Sequence, residues 1–179
     1  FLQMNDVYEI APLENGKAGG LARVSAIRNE LLKENPHVYT ILSGDFISPS
    51  ALGTSEYEGK RINGRQMVDV LNNIGVDFVT FGNHEFDYKD YVLQERIDES
   101  KFEWISTNVN HNGNRFAKMV EGNYFPPYII IKIPGYSKNK SIRLGLIGLT
   151  IDANKQPYVQ YDDFIESAKK YHSEIKDSI

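Results

Sequence analysis

The sequence of 179 residues contains no cysteine, and this absence removes several classes of protein from consideration. A disulfide framework and a thiolate metal site are both excluded, whereas a metal held by oxygen and imidazole ligands is not. No apolar run approaches the roughly 20 residues that a membrane-spanning helix needs, so we expect no membrane span. A positively charged leader before an apolar segment is also missing. The chain begins inside an apparent strand, so a leader could have been removed, and the compartment stays open.

Charge of one sign is not concentrated in any part of the chain. The 24 acidic and 20 basic residues give a formal net charge of -4. This balance argues against a partner with a polyanionic backbone, so we expect no nucleic-acid polymer as a partner. With 41% hydrophobic residues, the chain is long enough for one well-buried core and short for two.

Short apolar runs alternate with helical patterns along the chain, without internal repeats. Strands are predicted at 1–4, 38–42, 76–81, 104–106, 128–133 and 142–149. Helices are predicted from 21 to before Pro36, over 64–73 and 88–101, and from 162 onward. The alternation predicts an α/β fold with mixed, mostly parallel sheets flanked by helices, and the segment 111–127 is predicted to be a loop.

Polar side chains follow several of the predicted strands directly or almost directly. They are Asp6, Asp45, Asn83 and Asn108. Ligands of parallel sheets bind at the carboxyl ends of the strands, so we expect these oxygen-bearing side chains to converge on one edge. Taken singly, an aspartate at a strand end is more often a turn former or a helix cap.

The densest group of chemically useful residues is the run Gly82–Asp87, which reads Gly-Asn-His-Glu-Phe-Asp. Asn83 can offer a metal its amide oxygen, and His84 can protonate a leaving group or steady a developing negative charge. Asp87 is close enough in sequence to hold the imidazole in one tautomer. The alternative is that Asn83 and His84 cap the next helix and that Glu85 only supplies charge to its first turn. A metal-assisted hydrolase is the favoured interpretation.

Other conspicuous residues have plainer interpretations. The pair Gly19-Gly20 is interpreted as close packing of a helix rather than a phosphate site. The remaining histidines are predicted to be solvated, and the later aromatic residues to serve in packing rather than base stacking. The histidines are His37, His111 and His172, and the aromatic residues are Tyr124, Phe125, Tyr128 and Tyr136.

Together the motifs resemble the calcineurin-like metallophosphoesterases, most closely their 5′-nucleotidase branch. The matching pieces keep the family's order across essentially the whole chain. They are Asn5-Asp6, Gly19–Arg23, Gly44-Asp45, Gly82–Asp87 and Ser106–Val109. The Gly-Asn-His-Glu motif is highly specific, whereas Gly-Asp alone is not. The resemblance implies a four-layer α/β/β/α sandwich, of which this chain would contain the first half.

The resemblance also implies hydrolysis of phosphate monoesters, with nucleotides as the first expectation, by a hydroxide that two metals activate. Asp6 would bind one metal, Asp45 would bridge both, and Asn83 would bind the second and contact the phosphate. His84 would be the catalytic acid or transition-state stabiliser, oriented by Asp87. Two divalent cations neutralise the charge of the phosphate. Mn and Zn are expected first, with Fe, Co and Mg as alternatives.

The first motif departs from the family. The usual pattern is Asp-x-His, and here it reads Asp6-Val7-Tyr8. A phenol is protonated near neutral pH and is a poor ligand for most divalent ions, so a weakened first metal site is the favoured interpretation. Metal ligation by Tyr8 as a phenolate, to a strong Lewis acid such as ferric iron, is the alternative.

A second departure concerns the later motifs. The Gly-His-x-His pattern and the nucleotide-binding domain of 5′-nucleotidases do not occur in this sequence. Residues 1–179 are therefore expected to be the amino-terminal portion of one catalytic domain, poorly active alone. Two other functions stay open. One is a 2′,3′-cyclic nucleotide phosphodiesterase, and the other is a degenerate, non-catalytic domain, which Tyr8 would favour.

Overall fold

A computed structural model describes residues 1–135 and 140–179, and its elements follow the predicted alternation. In chain order the strands are β1 (Leu2–Met4), β2 (Thr40–Ser43), β3 (Glu56–Tyr57), β4 (Lys60–Arg61), β5 (Phe78–Thr80), β6 (Glu103–Ile105), β7 (Val109–His111), β8 (Asn114–Arg115), β9 (Ala117–Lys118), β10 (Asn123–Tyr124), β11 (Tyr128–Pro134), β12 (Ser141–Ile147) and β13 (Val159–Tyr161). The α-helices are α1 (Leu21–Glu34), α2 (Arg65–Ile74), α3 (Asp90–Glu99) and α4 (Phe164–Ile175). Short 3₁₀ turns lie at Glu14–Gly16 and His84–Asp87.

The main sheet has four strands in the order β1-β2-β5-β6, and every neighbouring pair is parallel. Parallel strands need long crossovers, and the helical segments between these strands provide them. The predicted fold class, an α/β arrangement with a parallel sheet flanked by helices, is confirmed. The smaller sheets are antiparallel, and they include the hairpin of β11 and β12 against which α4 packs.

Helix α2 shows how the sequence defines an element and its buried face. Met67, Val68, Leu71 and Ile74 repeat at helical spacing, and all are buried. The helix ends at Gly75, whose backbone has a φ of 83° and whose N–H bonds to the carbonyl of Leu71. A left-handed residue at this position suits glycine because it has no Cβ. The buried face of α2 contributes to the core shared with the parallel sheet.

Helix α1 begins directly after Gly20, which has a φ of +92°. A Cβ built on Gly20 would lie 3.1 Å from the Cβ of Pro12, so the chain is tightly packed here. This contact supports the packing interpretation for Gly20, whereas a Cβ on Gly19 would have no neighbour within 4 Å. The predicted apolar face of α1 is only partly covered, since Leu21 is buried whereas Ile27 is half exposed.

An aromatic cluster occupies the core beside the carboxyl ends of the parallel strands. The ring of Phe81 lies 4.6 Å from that of Trp104, 4.7 Å from that of Phe116 and 5.2 Å from that of Phe86, measured between centroids. Phe46 also belongs to this buried cluster. These side chains bury large apolar areas and anchor the loops that carry them.

Two sequence predictions need comment. The prediction of a loop over 111–127 is wrong, because β8, β9 and β10 lie within it. These strands are only two residues long, which is too short for an alternation of apolar and polar residues to be seen in the sequence. The neighbouring strand β7 pairs with β13, which is distant in the sequence, so this pairing is not visible locally either. Phe125 is buried as predicted, Tyr124 is exposed, and Tyr136 lies outside the described residues.

Within the described part of the chain, no helix is both long and apolar enough to cross a bilayer.

Candidate active site

Three neighbouring parallel strands end at the same edge of the main sheet, and each is followed by a candidate residue. Asp6 follows β1, Asp45 follows β2 and Asn83 follows β5. Asp6 and Asp45 have left-handed backbones, with φ values of 53° and 59°. Such a backbone is uncommon for residues other than glycine and is concentrated at functional sites. The three strand ends lie side by side at this edge, and the convergence of the three side chains stays a prediction.

Direct contacts join the three loops to one another. The N–H of Asp6 donates to the carbonyl of Gly44 at 3.2 Å. The N–H of His84 donates to Asp45 Oδ1 at 2.8 Å. The rings of Tyr8 and His84 meet edge to face, with centroids 5.9 Å apart. Each loop thus contacts the other two.

Gly44 and Gly82 allow two of the loops to approach closely. A Cβ on Gly44 would overlap the backbone of Gly82, and a Cβ on Gly82 would overlap the carboxylate of Asp45. Gly44 also has a φ of +76°. The glycines of the Gly-Asp and Gly-Asn-His-Glu motifs are therefore both required by space, and Gly44 by backbone conformation as well.

Glu85 lies in the protein interior and bonds to the same two loops. Its side chain is fully buried, and its carboxylate accepts backbone N–H groups of Gly82, Asp45, Phe46 and Ile47 at 2.6–3.3 Å. Burial raises the pKa of this carboxyl, and the hydrogen bonds from the backbone act in the opposite direction. Glu85 therefore does more than supply charge to the first turn, because its buried carboxylate bonds to the backbone of two loops.

His84 is held by an acidic partner on the same turn. Its Nδ1 lies 2.9 Å from Asp87 Oδ2, and the hydroxyl of Ser48 donates to that same oxygen at 2.8 Å. The hydrogen bond with Asp87 raises the pKa of His84, although burial of the ring opposes the effect. Since Asp87 engages Nδ1, the neutral imidazole carries its proton on that nitrogen.

Tyr8 interacts with the carboxylate it follows in sequence. Its hydroxyl donates to Asp6 Oδ1 at 3.0 Å, and the amide of Asn5 bonds to the other oxygen of Asp6. Burial, the hydrogen bond to Asp6 and the negative charge of Asp45 all raise the pKa of Tyr8. The phenol therefore keeps its proton near neutral pH.

Asn83 does not use its side chain as a helix cap, although it stands at the start of the 3₁₀ turn. Its backbone carbonyl accepts the side-chain amide of Asn154 at 2.9 Å. The same amide donates to Asp87 Oδ1 at 2.8 Å. Sequence reasoning missed Asn154, because no local pattern connects it with a turn that lies 71 residues earlier.

Two other polar residues do not join the site. Asn108 is buried, and its amide exchanges hydrogen bonds with the backbone of Thr150, so it braces the chain rather than facing the edge. His111 is not simply solvated as predicted. Its Nε2 lies 2.7 Å from Asp90 Oδ1, and its ring stacks on Phe116.

The donor set at this edge suits a cation that prefers oxygen. Asp6 and Asp45 offer carboxylates and Asn83 offers an amide, which are ligands of Mn, Mg and related ions. In residues 1–135 and 140–179, no group of three or more His, Cys, Asp or Glu side chains could by itself hold a metal ion. The two carboxylates are thus of a type that binds metal ions, but these acids alone would not fill the coordination shell of an ion.

Comparison with known proteins gives the family of the chain. The sequence profile of the calcineurin-like phosphoesterases matches residues 1–170. The chain belongs to this family. This calcineurin-like phosphoesterase is similar to a snake venom 5′-nucleotidase from Gloydius brevicauda, with 28% identity over 97% of this chain and 30% of that protein. The 2′,3′-cyclic-nucleotide 2′-phosphodiesterase/3′-nucleotidase of Haemophilus influenzae is 28% identical over 98% of this chain and 27% of that protein.

A solved structure from another organism shares the fold. The 5′-nucleotidase precursor from Thermus thermophilus superposes with a TM-score of 0.75 at 24% identity, over 98% of this chain and 34% of the other. Both curated relatives are much longer than the present sequence, which spans 30% of one and 27% of the other. The similarity therefore concerns only part of each relative, and the solved structure shows the shared fold.

Proposed function

We propose that this chain contributes part of a centre that hydrolyses phosphate monoesters, with nucleotides as the preferred class of substrate. The observation that carries the proposal is the contact of three loops that bear Asp6, Asp45 and Asn83 at one edge of the sheet, with His84 beside them. The names of the two curated relatives support phosphoester hydrolysis of nucleotides.

Asp6, Asp45 and Asn83 are the proposed metal-binding residues, and Asp45 is the one proposed to be shared between two ions. Two bound cations would neutralise the phosphate and lower the pKa of a bound water. Mn or Zn is our first choice, because both accept carboxylate and amide oxygens as well as imidazole nitrogen. The backbone N–H that His84 donates to Asp45 Oδ1 orients this carboxylate before any ion arrives.

His84 is the proposed general acid. Asp87 holds Nδ1, so Nε2 is the nitrogen that can donate to a substrate oxygen. The raised pKa of His84 keeps a larger share of the imidazole protonated at neutral pH than an isolated histidine would have. A protonated imidazole can transfer a proton to the departing alkoxide or stabilise its negative charge.

Tyr8 is proposed to act mainly through Asp6 rather than as a ligand. Its hydroxyl proton is already donated to Asp6 Oδ1, and a protonated phenol is a poor metal ligand. Phenolate ligation, the alternative from the sequence, would require this proton to leave. The consequence is a first metal site that has one nitrogen ligand fewer than the Asp-x-His pattern provides.

Two other functions have specific support. The cyclic-nucleotide phosphodiesterase from Haemophilus influenzae matches this chain at the same 28% identity as the venom 5′-nucleotidase, which favours cyclic nucleotides as a second substrate class. Tyr8 in the first motif favours a non-catalytic domain with weak metal binding.

A substrate panel on the protein at its full native length tests these proposals. AMP, 2′,3′-cyclic AMP and p-nitrophenyl phosphate are offered with Mn or Zn, and the assay is repeated after chelation with EDTA. We expect hydrolysis of AMP that disappears with the metal. Hydrolysis of the cyclic nucleotide alone would favour the phosphodiesterase, and no bound metal together with no turnover would favour the non-catalytic domain.

Single substitutions assign the roles. Asp45→Ala and Asn83→Ala should lose metal and turnover together. His84→Asn should reduce kcat by about 10²–10⁴-fold while metal content is kept, since general acid catalysis contributes on this scale. His172→Asn, which replaces an exposed histidine of α4, is the matched control and should retain both. Unchanged turnover in His84→Asn would remove this histidine from the mechanism.

A further inference from the structure

Asn154 connects a distant loop to both ends of the turn that carries His84. It lies between β12 and β13 and has a left-handed backbone with a φ of 57°. Its Nδ2 donates to the carbonyl of Asn83 at 2.9 Å and to Asp87 Oδ1 at 2.8 Å. An amide nitrogen carries two hydrogens, so one side chain can satisfy both acceptors at once.

The orientation of Asp87 is therefore set from three segments of the chain. Asn154 bonds to Oδ1, whereas Ser48 and His84 bond to Oδ2. With the amide of Asn154 removed, Oδ1 would have no partner from this loop, and the carboxylate could rotate away from the imidazole. The carbonyl of Asn83 would lose its bond to the same group.

We propose that Asn154 is a positioning residue for His84, which acts by fixing the carboxylate of Asp87. This inference rests on the proposed role of His84 as general acid. Asn154 needs no contact with the substrate for this purpose. It determines how firmly Asp87 holds Nδ1 and so which nitrogen of the imidazole presents a proton to the substrate.

The loop around Asn154 has anchors other than the Asn154 side chain. The hydroxyl of Tyr161 donates to the carbonyl of Ala153 at 2.5 Å and lies 3.4 Å from the carbonyl of Asn154. These bonds remain when the side chain of Asn154 is removed. Glycine also accepts a positive φ without strain, so Asn154→Gly should keep the loop and lose only the amide.

The tautomer of His84 tests the inference without any activity assay. In the metal-free chain, ¹⁵N NMR at a pH where His84 is neutral should show the proton on Nδ1. In Asn154→Gly we expect a measurable population with the proton on Nε2. Asn112→Gly is the matched control, because Asn112 also has a left-handed backbone, with a φ of 48°, and lies in the turn between β7 and β8. It should leave the His84 tautomer unchanged.

A second variant keeps the test decisive if the glycine variant does not fold. Asn154→Asp still tolerates a left-handed backbone, but it places a carboxylate against Asp87 and against the carbonyl of Asn83. The repulsion should move the tautomer further toward Nε2–H than in Asn154→Gly. A wild-type tautomer ratio in a folded variant of either kind would overturn the inference.

Turnover of the protein at its full native length supplies an independent measurement. For Asn154→Gly we expect kcat to fall about 10-fold, with metal content retained and KM little changed, as for other residues that orient a catalytic group. If the wild-type protein hydrolyses no phosphoester, the proposed function fails, yet the NMR comparison still decides whether Asn154 positions His84. If the wild type is active and the variant is equally active, the inference fails alone.

Discussion

The carboxylate of Glu85 accepts the backbone N–H of Asp45 at 2.8 Å, although 40 residues separate them in the sequence. The same carboxylate also binds the N–H of Gly82, which begins its own motif. A single buried side chain thus fixes the distance between the Gly-Asp loop and the Gly-Asn-His-Glu turn. The two motifs therefore form one structural unit. The glutamate of the second motif serves this unit from the interior, where its carboxylate accepts backbone N–H groups of both loops.

Removal of this carboxylate should destabilise the whole chain. Glu85→Ala leaves buried N–H groups without an acceptor, so we expect the free energy of unfolding in urea to fall by roughly 3 kcal/mol or more. Glu85→Gln keeps one oxygen acceptor and should cost less. Glu30→Ala, at a side chain that is 70% exposed, is the control and should change stability by only about 0.5 kcal/mol. Equal stability of the Glu85→Ala and Glu30→Ala variants would contradict the structural role.

The close approach of the two loops can be tested at Gly44. Gly59 has the same φ of +76° but nothing within 4 Å of a built Cβ, so it is a matched control for backbone strain. Gly59→Ala should cost about 1 kcal/mol from strain alone. Gly44→Ala adds a clash with the backbone of Gly82 and should cost clearly more, measured as the fall in unfolding free energy. Equal losses would mean that the loops separate easily.

The histidine at the site should titrate above its ordinary range in the metal-free protein. The hydrogen bond with Asp87 raises the pKa of His84, so NMR titration should give a value above about 6.5, and Asp87→Asn should lower it. The stability from this pair is fully present below about pH 6.5 and is lost as the pH rises through the higher folded-state pKa. Asp90→Asn instead removes the negative charge beside His111 and should leave the pKa of His84 unaffected. A wild-type value for His84 in Asp87→Asn would refute the assigned cause.

Replacement of Tyr8 by histidine should strengthen metal binding. Tyr8→His supplies the nitrogen of the Asp-x-His pattern, and a gain of roughly 1.4 kcal/mol would make the affinity for Mn or Zn about tenfold higher in calorimetry. Tyr8→Phe also loses the hydroxyl that bonds to Asp6 but adds no ligand, so the difference between the two variants isolates the imidazole. If Tyr8→Phe binds metal as tightly as Tyr8→His, or if both bind more weakly than the wild type, the phenol has another role.

The sequence could predict the parallel sheet and its helices because their signals are local. The buried positions of α2 recur at helical spacing, and Gly75 ends the helix with a conformation that glycine favours. The strands end just before Asp6, Asp45 and Asn83, and parallel strands bring their carboxyl ends to one edge. The short strands within 111–127 could not be predicted from the sequence. A strand of two residues is too short to show an alternation of apolar and polar residues, and only its pairing partner defines it.

The amino-acid sequence by itself determined which residues could carry chemistry at this edge, since strand ends and glycine turns are encoded by neighbouring residues. Only the tertiary structure decided what each polar side chain does. Glu85 turns inward to backbone N–H groups, Asn108 braces Thr150, and Asn154 reaches Asp87 from a different loop. These hydrogen bonds depend on segments that are distant in sequence, and a buried polar group must find its partner wherever the fold brings one within reach.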